Sequence, residues 1–218
     1  MKLKKINGNL QKALIEANLV EANDLQEDTF SAIKSGADCV IIAEQGSGKT
    51  TTIVLNVIQK LEKSSGESTR ALILVEDKEK VVEMKQLFEL YGNYTDLRVL
   101  GVHEKGNIDF DKNAISEGLD VLIGTPNRVN AMFASAGFNI NTIKIFVVDD
   151  ADRLFSNRMD AVVQRLFSSI EKTQRIFFAS RLTDKVEVLA DKVMIEPLFF
   201  EDDDEDIEDE NEELEDEL

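Results

Sequence analysis

The stretch IIAEQGSGKTTTIV, residues 41–54, sets a glycine-punctuated loop between a run of β-formers and a helical pattern. CVIIA (39–43) reads as a buried strand, and residues 49–63 as the helix that follows it. Gly46 and Gly48 allow the loop to curl so that its N–H groups converge on phosphate oxygens, and the helix N-terminus adds a potential that favours anions. In such a loop Lys49 reaches the β- and γ-phosphates of a nucleotide, and Thr50 brings its hydroxyl to Mg²⁺. Gly46, Ser47, Gly48 and Thr51 complete the expected nucleotide-binding set. The match to G-x-x-x-x-G-K-[ST] lacks only the first glycine, which is Ala43 here.

Outward from this loop the same alternation repeats. Nearly continuous apolar runs occur at ALILV (71–75), LRVLGV (97–102), DVLIG (120–124), KIFVVD (144–149) and RIFFAS (175–180), as expected of strands covered on both faces. Helical patterns lie between them at 78–91, 126–134, 159–170 and 184–193. In TPNR, Thr125 is placed to cap the helix that Pro126 opens. Strand alternating with helix implies an α/β fold with a mostly parallel central sheet, right-handed crossovers and helices on both faces. Ligands of such sheets sit at the carboxyl ends of the strands.

The 218 residues suffice for one core of ordinary size, and residues 1–200 are expected to form it. Residues 201–218 hold 14 of the 43 acidic residues and no lysine or arginine. The formal charge of −18 is therefore mostly a property of the tail, and the body, with 25 basic against 29 acidic residues, carries only −4. Such a tail repels itself and buries too little to offset its ordering entropy, so it is expected to be disordered or at most transiently helical. It acts either as a solubilising segment or as an electrostatic decoy that competes with nucleic acid. Cys39, the only cysteine, lies in an apolar run and fits a buried core position and a reducing cytoplasm. No run approaches the roughly 18 apolar residues of a membrane span, and the N-terminus has no signal-peptide pattern, so no membrane partner is expected.

A second chemistry-bearing segment is IFVVDDADRL, residues 145–154. An apolar strand that delivers Asp149 at its carboxyl end can hold the Mg²⁺ shell opposite a phosphate loop, and Asp150 is placed to orient or deprotonate an attacking water. Lys49, Asp149 and Asp150 are thus the candidate catalytic residues, with Thr50 and Asp149 as the metal pair.

Taken together, A-x-x-G-x-G-K-T, the strand followed by DDAD (149–152) and the intervening GTPNR resemble the first RecA-like domain of the DEAD-box RNA helicases over roughly residues 10–198. Gln26 lies 20 residues before Gly46, where that family reads adenine, and Gly36 and Asp38 fall on its G-x-D. The resemblance implies a RecA-like P-loop fold, ATP and Mg²⁺ as cofactors, Gln26 on the adenine, and Lys78, Thr125 and Arg128 at a weak RNA contact. Several family features are altered. P-T-R-E-L is EDKEK (76–80), which sets Asp77 where a hydroxyl would face a phosphate. T-P-G-R has Asn127 for its glycine, S-A-T is ASR (179–181), and the glutamate of D-E-A-D is Asp150. Arg181 then either pairs with Asp152 or faces solvent.

Family members close two RecA-like domains around ATP and RNA, and the second domain supplies arginines worth roughly 10³ to 10⁵ in rate. Three readings stay open: a cytoplasmic ATP-binding protein with weak or partner-dependent hydrolysis, a non-enzymatic interaction module, and a helicase half completed by a protein that supplies the second RecA-like domain. His103 is expected in a solvated loop, and Phe177 and Phe178, as consecutive strand residues, in the core on opposite faces of the sheet.

Overall fold

The computed structural model describes residues 6–135 and 139–201, so the acidic tail expected to be disordered lies, except for Glu201, outside the described residues. Seven strands form one sheet: β1 Cys39–Ile42, β2 Ala71–Leu74, β3 Val99–Val102, β4 Val121–Gly124, β5 Ile145–Val148, β6 Gln174–Ala179 and β7 Leu198–Glu201. Their order is β3-β4-β2-β5-β6-β1-β7, and every pairing is parallel. Nine helices connect or flank them among the described residues: α1 Gly8–Glu16, α2 Asp24–Ser35, α3 Lys49–Leu61, α4 Lys78–Tyr91, α5 Ile108–Ser116, α6 Pro126–Ala134, α7 Ala151–Ser156, α8 Asp160–Ser168 and α9 Asp184–Val193.

Alternation along each strand divides the core. Ile41, Ile73, Ile123, Val147 and Phe178 face α1 to α4, whereas Val40, Leu72, Leu122, Phe146 and Phe177 face α5 to α9. On the second face Phe167 stacks on Phe146 at 4.0 Å between centroids and meets Phe177 edge-on at 5.5 Å. Each fully buried ring of this kind contributes about 2–3 kcal/mol of hydrophobic stabilisation. Both layers are thus filled, and the polar residues that can meet a ligand are driven to the strand ends. Cys39 is fully buried in the first layer, as its apolar context implied.

At the amino ends of the strands, buried carboxylates tie the sheet together. Asp120, fully buried, accepts from Arg70 Nη2 at 2.6 Å and from Arg98 Nε at 2.8 Å. Burial alone would raise the Asp120 carboxyl, but the hydrogen bonds from Arg98 and Arg70 outweigh it and hold the pKa below the ordinary value. Asp38 accepts the Arg175 N–H at 2.7 Å and the Ile195 N–H at 2.9 Å, which aligns β6 and the approach to β7 with β1.

β7 was not legible in the sequence. It is a four-residue edge strand, Leu198 and Phe199 are largely exposed, and its last residue, Glu201, is the first of the segment assigned to the tail. Among the described residues no helix is long and apolar enough to cross a membrane.

Candidate nucleotide-binding site

The loop after β1 turns as its glycines require. Gly46 and Gly48 have φ of +93° and +91°, left-handed values that a side chain would strain. A Cβ on Gly48 would also meet Asn23 Nδ2 at 3.0 Å. α3 then opens at Lys49 with no side-chain cap, so its first N–H groups have no capping acceptor. Asn23 braces the loop from outside by donating through Nδ2 to the Ser47 carbonyl at 2.7 Å. The Ser47 hydroxyl is buried and has no hydrogen-bond partner among the described residues.

Above this loop lies a cavity of about 380 Å³ walled by Gly46, Gly48, Lys49, Thr50, Thr51, Asp149 and Asp150, with Gln45, Lys80, Glu83, Leu87, Arg153 and Ser180 completing its lining. The sheet order explains the assembly. β6 separates β5 from β1, so Asp149 at the end of β5 and the loop after β1 face each other across the end of β6. Thr50 Oγ1 comes to 3.5 Å from Asp149 Oδ2.

The charges of this cavity are incompletely matched. Asp149 is only 2% exposed; Oδ1 accepts the Asp150 N–H at 3.0 Å, and Oδ2 accepts only the long contact from Thr50 Oγ1 at 3.5 Å among the described residues. Burial, and then the neighbouring Asp150 charge, push its carboxyl up to about 7, against the smaller pull of Lys80 and Lys49. Lys49 is also buried, and burial lowers its pKa despite the attraction of Asp150, Asp149 and Asp152. Its Nζ donates to the carbonyls of Ala43 and Glu44. A buried carboxylate and a buried ammonium therefore share one cavity without touching. A divalent cation on Asp149 and an anion on Lys49 would relieve both costs, whereas Ser47, with its enclosed hydroxyl, does not line the cavity. No cluster of three or more His, Cys, Asp or Glu side chains suited to a metal occurs among the described residues.

Asp150 holds φ +47° and ψ +47°, an uncommon left-handed conformation for a side-chain-bearing residue, and lines the same cavity. Its turn ends β5 and starts the six-residue α7. Asp152, buried in α7, accepts the Ser180 N–H at 3.1 Å. This corrects one of the two expectations for Arg181. That residue is exposed and, among the described residues, makes no ion pair with Asp152, whose Oδ1 accepts a backbone amide instead.

Other candidates stand apart from the cavity. Gln26 is buried but does not line it; its side-chain oxygen accepts the Asn23 N–H at 3.4 Å while Asn23 Oδ1 accepts the Gln26 N–H at 3.0 Å, a reciprocal capping box at the start of α2. Lys78 is exposed at the first position of α4, whose N-cap is Asp77. Thr125 occupies the N-cap of α6, yet its hydroxyl makes no capping bond and is buried without a partner among the described residues. Arg128 is not at the surface. Its guanidinium is buried and donates from Nε and Nη2 to Asp111 Oδ2 at 3.0 and 2.6 Å. His103 is half-buried, with Nδ1 enclosed and unpartnered, rather than freely solvated.

Sequence reasoning missed Asn23, Lys80, Glu83 and Arg153. Asn23 had a signal, since Asn three residues before Gln fits a capping box. The others are helix-surface charges whose direction depends on how α4 and α7 pack.

Comparison with known proteins agrees with this arrangement. The DEAD/DEAH box helicase family model matches residues 23–187, from the N-cap of α2 to the first turn of α9. The ATP-dependent RNA helicase eIF4A of Lodderomyces elongisporus is 26% identical over 175 residues, 80% of this chain and 44% of the relative. The ATP-dependent RNA helicase DHH1 of Phaeosphaeria nodorum is 25% identical over 193 residues, 88% of this chain and 37% of the relative. The chain thus spans less than half the length of these curated relatives. Among solved structures, a DEAD box protein from the hyperthermophile Methanococcus jannaschii superposes with a TM-score of 0.84 at 20% identity, covering 90% of this chain and 54% of that one. A yeast DEAD-box splicing factor gives 0.80 at 21% identity, over 89% of this chain and 49% of that one. The two structures share the RecA-like fold, and the family model extends across the phosphate loop and both acidic positions; the chain belongs to the DEAD/DEAH box helicase family.

Proposed function

We propose that the chain binds MgATP in the cavity above Gly46–Thr50 and hydrolyses it slowly unless another domain or protein completes the site. One observation carries this reading: Asp149 and Lys49 are both buried in the same cavity, each at a cost, with Thr50 Oγ1 3.5 Å from the carboxylate. In this reading Lys49 leaves its loop carbonyls for the β- and γ-phosphates, and the N–H groups of Gly46 to Thr51 surround the polyphosphate. Thr50 and Asp149 hold the Mg²⁺ shell, and the cation supplies charge stabilisation at the transferring phosphoryl group when it is bound. Asp150 orients the water that attacks.

Limited RNA contact is part of the same proposal. Asp77 caps α4 with its carboxylate, accepting the Lys80 N–H at 2.9 Å, and Arg128 is held by Asp111, so the expected backbone contacts are reduced to Lys78 and Thr125. The captive Arg128 favours a second reading, in which nucleotide serves as a ligand or switch of a non-enzymatic module. The test is calorimetric MgATP binding together with ATP turnover, each with and without single-stranded RNA. Binding with slow turnover supports the first reading, and RNA stimulation by an order of magnitude or more supports a helicase half that acts on RNA. Binding without turnover supports the second reading, and absence of binding rejects both.

A further inference from the structure

Lys80 is a cation of the cavity that the phosphate loop does not provide. It sits in the first turn of α4, and Asp77 at the N-cap accepts its backbone N–H at 2.9 Å, so its Cα is fixed. α4 packs beside α3, and Val81 and Met84 on its inner side are buried in the layer that contains the α3 side chains. Lys80 is thereby turned to the cavity wall together with Glu83 and Leu87.

Topology sets its direction of approach. β5 lies between β2 and β6, so relative to Asp149 the phosphate loop arrives from the β6 and β1 side, and Lys80 arrives from the β2 side. The two lysines flank the carboxylate pair. Among the described residues Lys80 Nζ pairs only with Glu83 Oε2, at 3.1 Å across one helical turn. Glu83 is half exposed, and such a pair contributes little, so it does not lock the lysine away from a stronger acceptor. Arg153, the remaining cation on the wall, is similarly exposed and leans to Glu76 at 3.5 Å. Burial works against the Lys80 charge, but the Glu83 hydrogen bond and the charges of Glu83, Asp149 and Asp150 outweigh it, and the ammonium titrates above its ordinary value.

We propose that Lys80 binds the terminal phosphate of the nucleoside triphosphate, opposite Lys49, exchanging Glu83 for a phosphate oxygen. Once a cation neutralises Asp149 and Asp150, the negative charge left to compete for Lys80 is that of the half-exposed Glu83 and of the phosphates, and the more highly charged terminal phosphate is the stronger acceptor for an amine on the β2 side. Lys80 then adds to Lys49 a second positive charge, from the β2 side, at the outer end of the ligand. It would discriminate the triphosphate from the diphosphate.

This inference rests on the nucleotide reading of the cavity, and calorimetry on the full chain separates the two. Wild-type protein and the variants Lys80→Ala, Lys80→Gln and Glu83→Gln are titrated with MgATP and MgADP, with circular dichroism as the check on folding. Lys80→Ala and Lys80→Gln are expected to weaken MgATP about tenfold, the size of one charge-assisted contact in a half-open site, and to leave MgADP within about twofold. Glu83→Gln frees the lysine and is expected to tighten MgATP about threefold. Equal losses for both nucleotides, or no loss for either, would overturn the role of Lys80 while wild-type binding upholds the site. Wild-type protein that binds neither nucleotide overturns both.

Discussion

Thr50 Oγ1 lies 3.5 Å from Asp149 Oδ2 although 99 residues separate them in sequence. That separation is the outer limit of a hydrogen bond, so the hydroxyl is a weak donor and the buried carboxylate is only loosely held on the Thr50 side. β6 between β1 and β5 makes the approach possible, and the short first turn of α3 delivers the threonine. Fold and charge converge there, because the strand order that buries Asp149 also gathers Lys49, Asp150 and Lys80 around the same cavity.

Lys49 supplies the phosphate loop's own positive charge. Lys49→Ala is expected to weaken MgATP by about 100-fold or more, because a charge-assisted contact in a partly dehydrated site is lost. The fold should persist, since among the described residues the Lys49 ammonium hydrogen-bonds only to the carbonyls of Ala43 and Glu44, both at the loop. Calorimetry beside a thermal melt checks both parts; unchanged affinity would remove Lys49 from the site.

Asp149 makes the apo protein pH-sensitive. Its folded carboxyl titrates at about 7 against an ordinary 3.8, so between these values the folded state binds more protons than the unfolded state. Stability therefore falls as pH rises through that window, by at most about 4 kcal/mol from this group. Asp149→Asn keeps an acceptor for the Asp150 N–H and removes the charge. It is expected to melt higher than wild type at pH 8, to lose that advantage near pH 4, and to lose Mg²⁺-dependent nucleotide binding. Denaturant unfolding at the two pH values reads the first two outcomes, and a variant less stable than wild type at pH 8 would contradict the charge argument.

Gln26 combines a structural and an expected recognition role, and the two can be separated. Its side-chain oxygen closes the capping box on Asn23, whose amide in turn braces the loop at Ser47. Gln26→Glu retains the acceptor and loses the amide donor, whereas Gln26→Ala loses both. Gln26→Ala is expected to cost about 1 kcal/mol of stability and Gln26→Glu much less, while both erode the preference for ATP over GTP. Competition binding with the two nucleotides and thermal melts check this. A preference unchanged in Gln26→Glu would leave Gln26 as a cap alone.

The legible parts of this molecule were those written in short range. The strands at 39–43, 71–75 and 120–124 announced themselves because burial on both faces demands continuous apolar runs, and the glycines of the phosphate loop because the loop needs positive φ. β7 has only four residues, exposed at an edge, and carries no such run, and α7 is a six-residue helix after a left-handed aspartate. Side-chain direction was the weakest point. Arg128 at a helix start reads as a surface cation, yet Asp111 from α5 reaches it across a loop whose path no local pattern encodes. Arg181 reads equally well as a partner of Asp152 or as a solvent-facing residue, and the structure leaves it exposed while Asp152 accepts the Ser180 amide.

The Arg128–Asp111 pair yields the most decisive mutational contrast. Both side chains are almost fully buried, and two N–H groups of the guanidinium converge on one carboxylate oxygen. Removing the cation alone strands Asp111, so Arg128→Ala is expected to destabilise by about 3 kcal/mol, whereas Arg128→Ala with Asp111→Asn should recover more than half of that loss. Asp111→Asn alone weakens the hold on Arg128 without emptying the site. If the pair keeps a phosphate-binding arginine out of reach, this variant should bind single-stranded RNA more tightly than wild type, with a steeper loss of affinity as salt rises. If Arg128 serves only the packing of α5 on α6, RNA affinity should not change. Fluorescence anisotropy with a labelled oligonucleotide at two salt concentrations distinguishes the two, and an unchanged affinity with an unchanged salt slope would assign the pair to stability alone.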